Sequence, residues 1–391
     1  MKLIINEKGF TTVELLITLF VAVIFLTSGY QLYSLTIKDG GEARAQSRAN
    51  NIAYDYLQRY KSTATSSCSP QEPLTNSPII ISDLSDVTVT VAITCPYGSS
   101  TSFSAKGGNI STVNGYTIHT FTTNDSFYAE KDGSVEALVI GGGGAGGTNN
   151  TTNTRTASGG GGAGGLIYNS SNTVSSGQSI SVIVGAGGLT SEAKGQDSSF
   201  GTITATGGGR GANIAYSAQT GGSGGGGSYY YPTAGLGTTG QGYNGGGGTI
   251  QHFGGSGGGG ANESGYSSVN DNGTAGGGGL YYGNLFGNTV GQNGYFAGGG
   301  GGGGREAFTA GNGGIGGGGN GSLTNGNNGV NGTGGGGGGS GPYSSIGGAG
   351  GSGIVIIRYK TAIPSISKIS VTIKYNNPQE SVSNATYVTA Q

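Results

Sequence analysis

From Phe10 to Leu35 the residues are almost entirely apolar or small. At 1.5 Å per residue, about 20 such residues cross a bilayer as a helix, so we predict a membrane span over 10–35. Glu14 interrupts this pattern, because a carboxylate inside a span costs about 2.5–3.5 kcal/mol and requires a partner. No small-residue cleavage site follows the stretch, so it is not typical of a secretory signal peptide.

Beyond the span, the apolar positions return at helical spacing and form one stripe. Gly29 and the pair Gly40–Gly41 predict a kink or local melting before this second half. We therefore predict a long N-terminal helix over 10–61. The residues of the stripe are Ala49, Ile52, Ala53, Tyr56, Leu57 and Tyr60.

Strict alternation of apolar and polar residues predicts a half-buried strand at 87–94, and a similar alternation returns only from Ile369. We interpret the two as parts of one antiparallel sheet that an insertion separates. The first part of this head covers 62–104, the insertion 105–360, and the C-terminal part 361–391. The alternative is a head completed before residue 105, followed by a separate tail.

Glycine dominates the insertion, since 82 of the 91 glycines lie between Gly141 and Gly353. Such a composition is typical of flexible segments. Order is favoured because apolar strands frame the region, at 116–121, 135–140 and from Ile354, and because the glycine runs recur at similar spacing. We interpret the runs as packed polyproline-II-type helices that hydrogen-bond to each other laterally through their backbones.

Aromatic residues lie between the glycine runs, where they offer large, rigid, amphipathic contact area. Each can instead plug the end of its own domain, and both interpretations stay open. The candidate ligand-binding residues are Tyr229, Tyr230, Tyr231, Tyr243, Phe253, Tyr266, Tyr281, Tyr282, Tyr295, Phe296 and Tyr343.

Charge and reactive residues are sparse. Only 9% of the residues are charged and the net charge is −1, so we expect no nucleic-acid partner. Formal matches to nucleophile and phosphate-binding motifs arise from glycine composition alone, so we expect neither an enzyme, a cofactor nor a metal site. The two cysteines, Cys68 and Cys95, are expected to form a disulfide if the chain is exported.

The N-terminus resembles the class III signal of type IV pilins and pseudopilins. The match covers the leader MKLIINEKG (1–9), then Phe10, then Glu14 at the fifth mature position. The resemblance implies that a prepilin peptidase cuts after Gly9 and methylates the amino group of Phe10. It also implies that Glu14 pairs with the α-amine of a neighbouring subunit, so that the two charges offset each other's desolvation.

The frame VEALVIGGGGAGG…ISVIVGAGG…GGSGIVIIRY resembles a glycine-rich domain of bacterial surface proteins and phage tail-tip adhesins. In the adhesins, loops between polyglycine-II helices contact the host receptor. Together the two resemblances imply an α+β protein. It would combine a pilin-like long N-terminal helix and a small antiparallel sheet with an inserted β/polyglycine-II domain.

The function expected from these features is that of a minor type IV pilin whose glycine-rich domain mediates attachment to a surface or host cell. Its partners would be other pilin subunits, the prepilin peptidase and an unknown surface receptor or glycan. It would be a membrane-anchored precursor and then part of an extracellular pilus. The alternatives are a pseudopilin of a type II secretion or DNA-uptake machine, and a major pilin with a non-binding coat domain.

Overall fold

A computed structural model describes residues 11–63, 70–82, 84–95, 103–152, 155–189, 193–361, 366–376 and 380–389. The protein is α+β, as predicted, with helices α1 (Thr12–Tyr60) and α2 (Gly283–Phe286) and a 3₁₀ turn at Lys61–Thr63. Contacts divide the chain into two compact units, Met1–Thr101 with Ile363–Gln391, and Ser102–Ala362. The strands are β1 (Gln71–Pro78), β2 (Thr88–Thr94), β3 (Ala105–Lys106), β4 (Asn109–Val113), β5 (Tyr116–Phe121), β6 (Asp125–Ala129), β7 (Gly133–Ile140), β8 (Leu166–Val174), β9 (Ser179–Ile183), β10 (Ser198–Phe200), β11 (Ile203–Ala205), β12 (Leu280–Tyr281), β13 (Tyr295–Phe296), β14 (Ile354–Lys360), β15 (Ile366–Tyr375) and β16 (Glu380–Thr389).

In the first unit, α1 has two halves with different surroundings. The apolar residues of its first half are exposed, and it belongs to the one described helix that is long and apolar enough to cross a membrane. In the second half, Ala49, Ala53 and Leu57 are buried against the sheet, and Ile52, Tyr56 and Tyr60 pack beside them. The predicted apolar stripe is therefore confirmed.

The predicted local melting of this helix is wrong, whereas the predicted kink stays a prediction. Helix α1 is continuous through Gly29, Gly40 and Gly41. A glycine costs a helix only about 1 kcal/mol relative to alanine. Three glycines spread over 49 residues are therefore outweighed by the strong helix formers around them and by the burial of the second half.

The sheet of the first unit has the order β1-β2-β15-β16 and is antiparallel throughout. Strand β2 pairs directly with β15, so that Val91 lies opposite Val371 and Ile93 opposite Ile369. These four side chains face the buried stripe of α1. Strands separated by more than 270 positions in sequence therefore build one small core.

The second unit contains two five-stranded antiparallel sheets, ordered β4-β5-β14-β7-β8 and β11-β10-β9-β6-β3. An apolar core that includes Phe121, Phe127, Val139 and Ile357 lies between the two sheets. The opposite face of the first sheet is covered by a further cluster containing Phe286 and Phe296. Both faces of β14 are therefore buried, which explains its continuous apolar run.

His119 lies in the core of this second unit and is fully buried. Its Nδ1 donates a hydrogen bond to the Gly107 carbonyl at 2.7 Å, and its Nε2 accepts one from the Tyr359 hydroxyl at 3.2 Å. Burial lowers the pKa of His119, and the bond to Gly107 offsets this only in part.

We expect this histidine to make the unit less stable in mild acid. The unfolded chain binds a proton below a pH of about 6.5, whereas the folded chain resists it, so stability is lost as the pH falls from about 6.5 toward the lowered pKa. Thermal midpoints between pH 7 and pH 5 would measure this. His119→Gln should remove most of the dependence, and His252→Gln, at the only other histidine, should retain it. Equal dependence in both variants would contradict the assignment.

The glycine-rich segments of the second unit are ordered as a bundle of extended helices. Residues 158–165 show the pattern most fully, because their amides donate to three neighbouring helices in strict rotation. The same neighbour returns every third residue, which is the repeat of a polyproline-II-type helix. The donor–acceptor pairs are Gly159–Ala212, Gly162–Gly209 and Gly165–Thr206, then Gly160–Ser256 and Ala163–Gly259, then Gly161–Gly337 and Gly164–Gly334, at 2.7–2.9 Å.

The carbonyl groups of the same helix accept from three different neighbours, at 141–147, 223–226 and 300–303. The helix at 158–165 therefore has six neighbours and lies at the centre of the bundle. Helices this close have no room for a Cβ atom. A Cβ on Gly161 would lie 2.1 Å from the Gly144 carbonyl oxygen, and one on Gly300 would lie 2.0 Å from that of Gly337.

Asparagine side chains replace missing backbone partners where helices lie at the edge of the bundle. Asn325, Asn328 and Asn331 are three residues apart, and their Oδ1 atoms accept from the amides of residues 346, 349 and 352 at 2.8–3.0 Å. The repeat of three matches the turn of the helix that they join. We call these three residues the asparagine ladder.

Candidate binding surface at the loop end of the glycine bundle

The bundle of the second unit has two distinct ends. The helix 141–147 begins where β7 ends. Its first residue, Gly141, donates a backbone hydrogen bond to Gly165, which directly precedes β8. Its last residue, Gly147, donates to Gly159, at the far end of the neighbouring helix. We call the end next to these strands the sheet end and the opposite end the loop end. Successive helices run in opposite directions, so the loops between them alternate between the two ends.

The structure distributes the predicted aromatic residues over three places. Tyr243 and Tyr266 lie in outer helices along the sides of the bundle and are half exposed. The loops at the loop end carry Tyr229, Tyr230, Tyr231, Phe253 and Tyr343. The long loop at the sheet end carries Tyr281, Tyr282, Tyr295 and Phe296.

The sheet-end residues include one that cannot contact a ligand. Phe296 is fully buried, and Tyr282 packs against the same apolar cluster. Tyr281 and Tyr295 face each other with ring centroids 4.8 Å apart, and the Tyr281 hydroxyl donates to Asn288 Oδ1. At this end, Phe296 and Tyr282 cover apolar side chains of the five-stranded sheet. The predicted binding role of Phe296 is therefore corrected.

At the loop end, aromatic rings from separate loops form a continuous group. The Tyr229 ring lies 4.7 Å from the Phe253 ring at an angle of 30°, and Tyr230 packs edge-on against Tyr229 at 5.2 Å. The Arg305 guanidinium lies over the Phe253 ring, 4.9 Å from its centroid. Such a contact is worth about 0.5–1 kcal/mol at exposed sites.

An ion pair fixes this arrangement. Arg305 Nη1 contacts Asp271 Oδ2, and Asp271 Oδ1 accepts the Phe253 amide at 2.8 Å. Burial raises the pKa of Asp271, but the Phe253 amide and the Arg305 guanidinium outweigh it and keep the pKa below its ordinary value. The Asp271 carboxylate thus binds both the Arg305 guanidinium and the backbone amide of Phe253. We call Tyr229, Tyr230, Phe253, Asp271 and Arg305 the loop-end cluster.

The loop end exposes one ring of this cluster and two further tyrosine rings. Tyr230 is 49% exposed, Tyr231 36% and Tyr343 41%. The Tyr343 hydroxyl donates to Glu306 Oε2 at 3.0 Å. Tyrosine and arginine are, with tryptophan, the residue types enriched among the side chains that dominate binding energy at protein contact surfaces. A surface of this composition suits sugar faces or apolar protein side chains, since each ring offers both an apolar face and a polar edge.

The sequence interpretation missed the pairing of Asp271 with Arg305. A usable signal existed, because the region 141–353 contains only four basic and five acidic residues. So few charges in an uncharged bundle are expected to pair where they are partly buried. Their separation of 34 residues prevented the assignment from sequence alone.

The candidate assembly residue Glu14 lies in the first turn of α1. Its Oε2 accepts from the Thr11 amide at 3.1 Å and from the Thr11 hydroxyl at 3.0 Å, while the Glu14 amide donates back to Thr11 Oγ1 at 3.3 Å. This is a capping box, which the pattern T-x-x-E signals in the sequence. Within the described chain, the carboxylate thus caps its own helix.

Three other predicted site residues fall outside the described part of the chain. They are Gly9 and Phe10, at the expected cleavage point, and Cys68. Cys95 directly follows β2 and is half-buried. The disulfide between Cys68 and Cys95 therefore stays a prediction, as does the processing at Gly9.

The combination of an antiparallel β core and a polyglycine-type bundle defines a class of glycine-rich domain. A family model described as a glycine-rich domain matches residues 117–360, which is more than half of the chain. The chain belongs to this family. Comparisons with curated proteins and with solved structures give no match.

Proposed function

We propose that this protein is a type IV pilin-like subunit whose glycine-rich domain attaches to a surface through its loop end. The observation that carries the adhesive part is the loop-end cluster, in which aromatic rings and an arginine from separate loops form one group beside exposed tyrosines. At the sheet end, by contrast, Phe296 is fully buried and Tyr281 is the one ring of that group with more than a third of its surface exposed.

The filament part of the proposal is supported by the first unit and by the N-terminal motif. Helix α1 carries exposed apolar residues along its first half and packs a four-stranded sheet with its second half. The motif places Gly9 before Phe10 and Glu14. In this proposal the first half of α1 is held in a membrane before assembly and is buried among other subunits afterwards.

In the proposed filament, Glu14 has a second role beyond its capping box. A carboxylate that is transferred from a helix end into a packed, water-poor environment needs a positive partner. The new amino group at Phe10 of a neighbouring subunit would supply that charge. The capping box then preorganises the carboxylate at the start of the helix.

We expect Glu14→Gln to be processed but to stay out of filaments. Glutamine at this position still accepts the capping hydrogen bond but carries no charge, so it separates the two roles. Gly9→Val should leave an uncleaved membrane precursor. The measurements are the N-terminal mass of the protein and its amount in sheared pili, with Glu42→Gln as the control for loss of an exposed carboxylate on α1.

Filaments that contain Glu14→Gln at the parental level would contradict the charge role and leave only the cap. Assembled protein with an intact Met1 would contradict the pilin-like assignment altogether. Where the protein is found in filaments, immunogold labelling of purified pili would distinguish a subunit confined to one end of the pilus from a subunit that coats its whole length.

A further inference from the structure

Asparagine followed by glycine is chemically labile. The backbone nitrogen of the glycine attacks the asparagine Cγ and releases ammonia, because glycine has no side chain to hinder the approach. Both the attacking N–H and the side-chain amide must be free to move for this to happen. The sequence contains nine such pairs, beginning at Asn114, Asn244, Asn272, Asn293, Asn312, Asn320, Asn325, Asn328 and Asn331.

Six of the nine pairs are held at both groups. In the asparagine ladder, each Oδ1 accepts an amide from residue 346, 349 or 352, and the next glycine donates to the carbonyl of that same residue. Asn272 and Gly273 clamp Thr309 in the same way. In the pairs that begin at Asn244 and Asn320, one residue donates to the asparagine side chain and a different residue accepts from the glycine amide.

Two pairs are held at one group only. Gly294 donates to the Val290 carbonyl at 3.0 Å, and Gly313 donates to Asn320 Oδ1 at 2.8 Å. The structure shows no hydrogen bond to the side chains of Asn293 and Asn312, both within the described residues. In these pairs the attacking nitrogen is engaged, so the reaction needs a local opening first.

The pair Asn114–Gly115 differs from the other eight. It forms the turn between β4 and β5, with φ angles of 49° and 77°, and both residues are exposed. Within the described part of the chain, neither the Asn114 side chain nor the Gly115 amide makes a hydrogen bond. A Cβ on Gly115 would meet nothing within 4 Å, so the space around the turn is open.

We propose that Asn114 is the deamidation site of the folded protein and that hydrogen bonds within the second unit protect the asparagines of the other eight Asn-Gly pairs. Gly115 N forms a bond to Asn114 Cγ and loses its proton, and the Cγ–NH₂ bond breaks, so that ammonia leaves with that proton. Water then opens the cyclic imide at either carbonyl and gives aspartate or isoaspartate. The turn gains one negative charge and, in the isoaspartate form, an additional backbone carbon.

The test is to incubate the purified full chain at mildly alkaline pH and to map aspartate and isoaspartate by peptide mass spectrometry over time. Asn114 should convert first, at least about tenfold faster than any residue of the asparagine ladder, because the ladder reacts only after local opening. Asn293 and Asn312 should also lag behind Asn114. In denaturant all nine should convert at similar rates.

Asn114→Gln serves as the matched variant, since it removes the labile pair without altering the bundle. It should abolish the earliest charge change and leave the slow sites unchanged. The proposal is overturned if any residue of the ladder converts before Asn114 in the native protein. It is equally overturned if native Asn114 stays intact after denatured Asn114 has converted.

Discussion

Replacing Gly161 by alanine is expected to destabilise the glycine-rich unit by about 3 kcal/mol or more, at the upper end of the usual cost of overpacking. Gly161 lies in the central helix, where its amide donates to Gly337 and its carbonyl accepts from Gly300, both at 2.8 Å. A Cβ at this position would lie 2.1 Å from the Gly144 carbonyl oxygen. Backbone on every side prevents relief by a rotamer change, so neighbouring helices must separate.

Gly247→Ala is the matched control within the same bundle. The nearest atoms to a Cβ on Gly247 are the Pro232 carbonyl oxygen at 3.5 Å and Ser267 Oγ at 3.8 Å. We expect a change below about 1 kcal/mol, which can be stabilising because alanine restricts the unfolded chain. Denaturant unfolding and amide hydrogen exchange of peptides covering 158–165 would measure both variants. Equal exchange in Gly161→Ala and the parent would contradict the packed-helix structure.

The bundle itself could be predicted in kind but not in arrangement. Glycine runs framed by apolar strands indicated helices that bond laterally, and the backbone hydrogen bonds of 158–165 confirm this. The sequence could not show that this helix lies at the centre, because glycines carry no side chain that distinguishes an inner helix from an outer one. The asparagine ladder, with its repeat of three, was a local signal for an edge.

The candidate site was predictable only in part for a topological reason. Loops alternate between the two ends of the bundle, so aromatic residues of successive loops lie at opposite ends. Tyr266 and Tyr281 are separated by one helix and reach different places, whereas Tyr229 and Phe253 come together from separate loops. Assigning a loop to an end requires the number of helices between loops, and irregular glycine runs conceal that number.

Excising Ser102–Ala362 and joining the flanking residues by a short flexible linker should abolish attachment while assembly persists. The cut follows the compact unit, so neither the sheet β1-β2-β15-β16 nor its packing on α1 loses a strand. Attachment should disappear because every residue of the loop-end cluster is removed. Pilus yield and adhesion to the target surface, measured on the same strain, would show the separation. Unchanged adhesion after excision would contradict the adhesive function.

A finer pair of variants should locate attachment within the intact domain. Tyr230→Ser with Tyr231→Ser removes two exposed rings of the loop end, and Tyr243→Ser with Tyr266→Ser removes two rings from the sides. All four are at least one-third exposed, so both variants should fold, and thermal melting checks this. We expect the first pair to reduce adhesion at least about tenfold, since such hot-spot rings contribute 2 kcal/mol or more each, and the second to change it little. The reverse order would move the binding surface to the sides of the bundle, and equal, undiminished adhesion in both would remove these tyrosines from the contact.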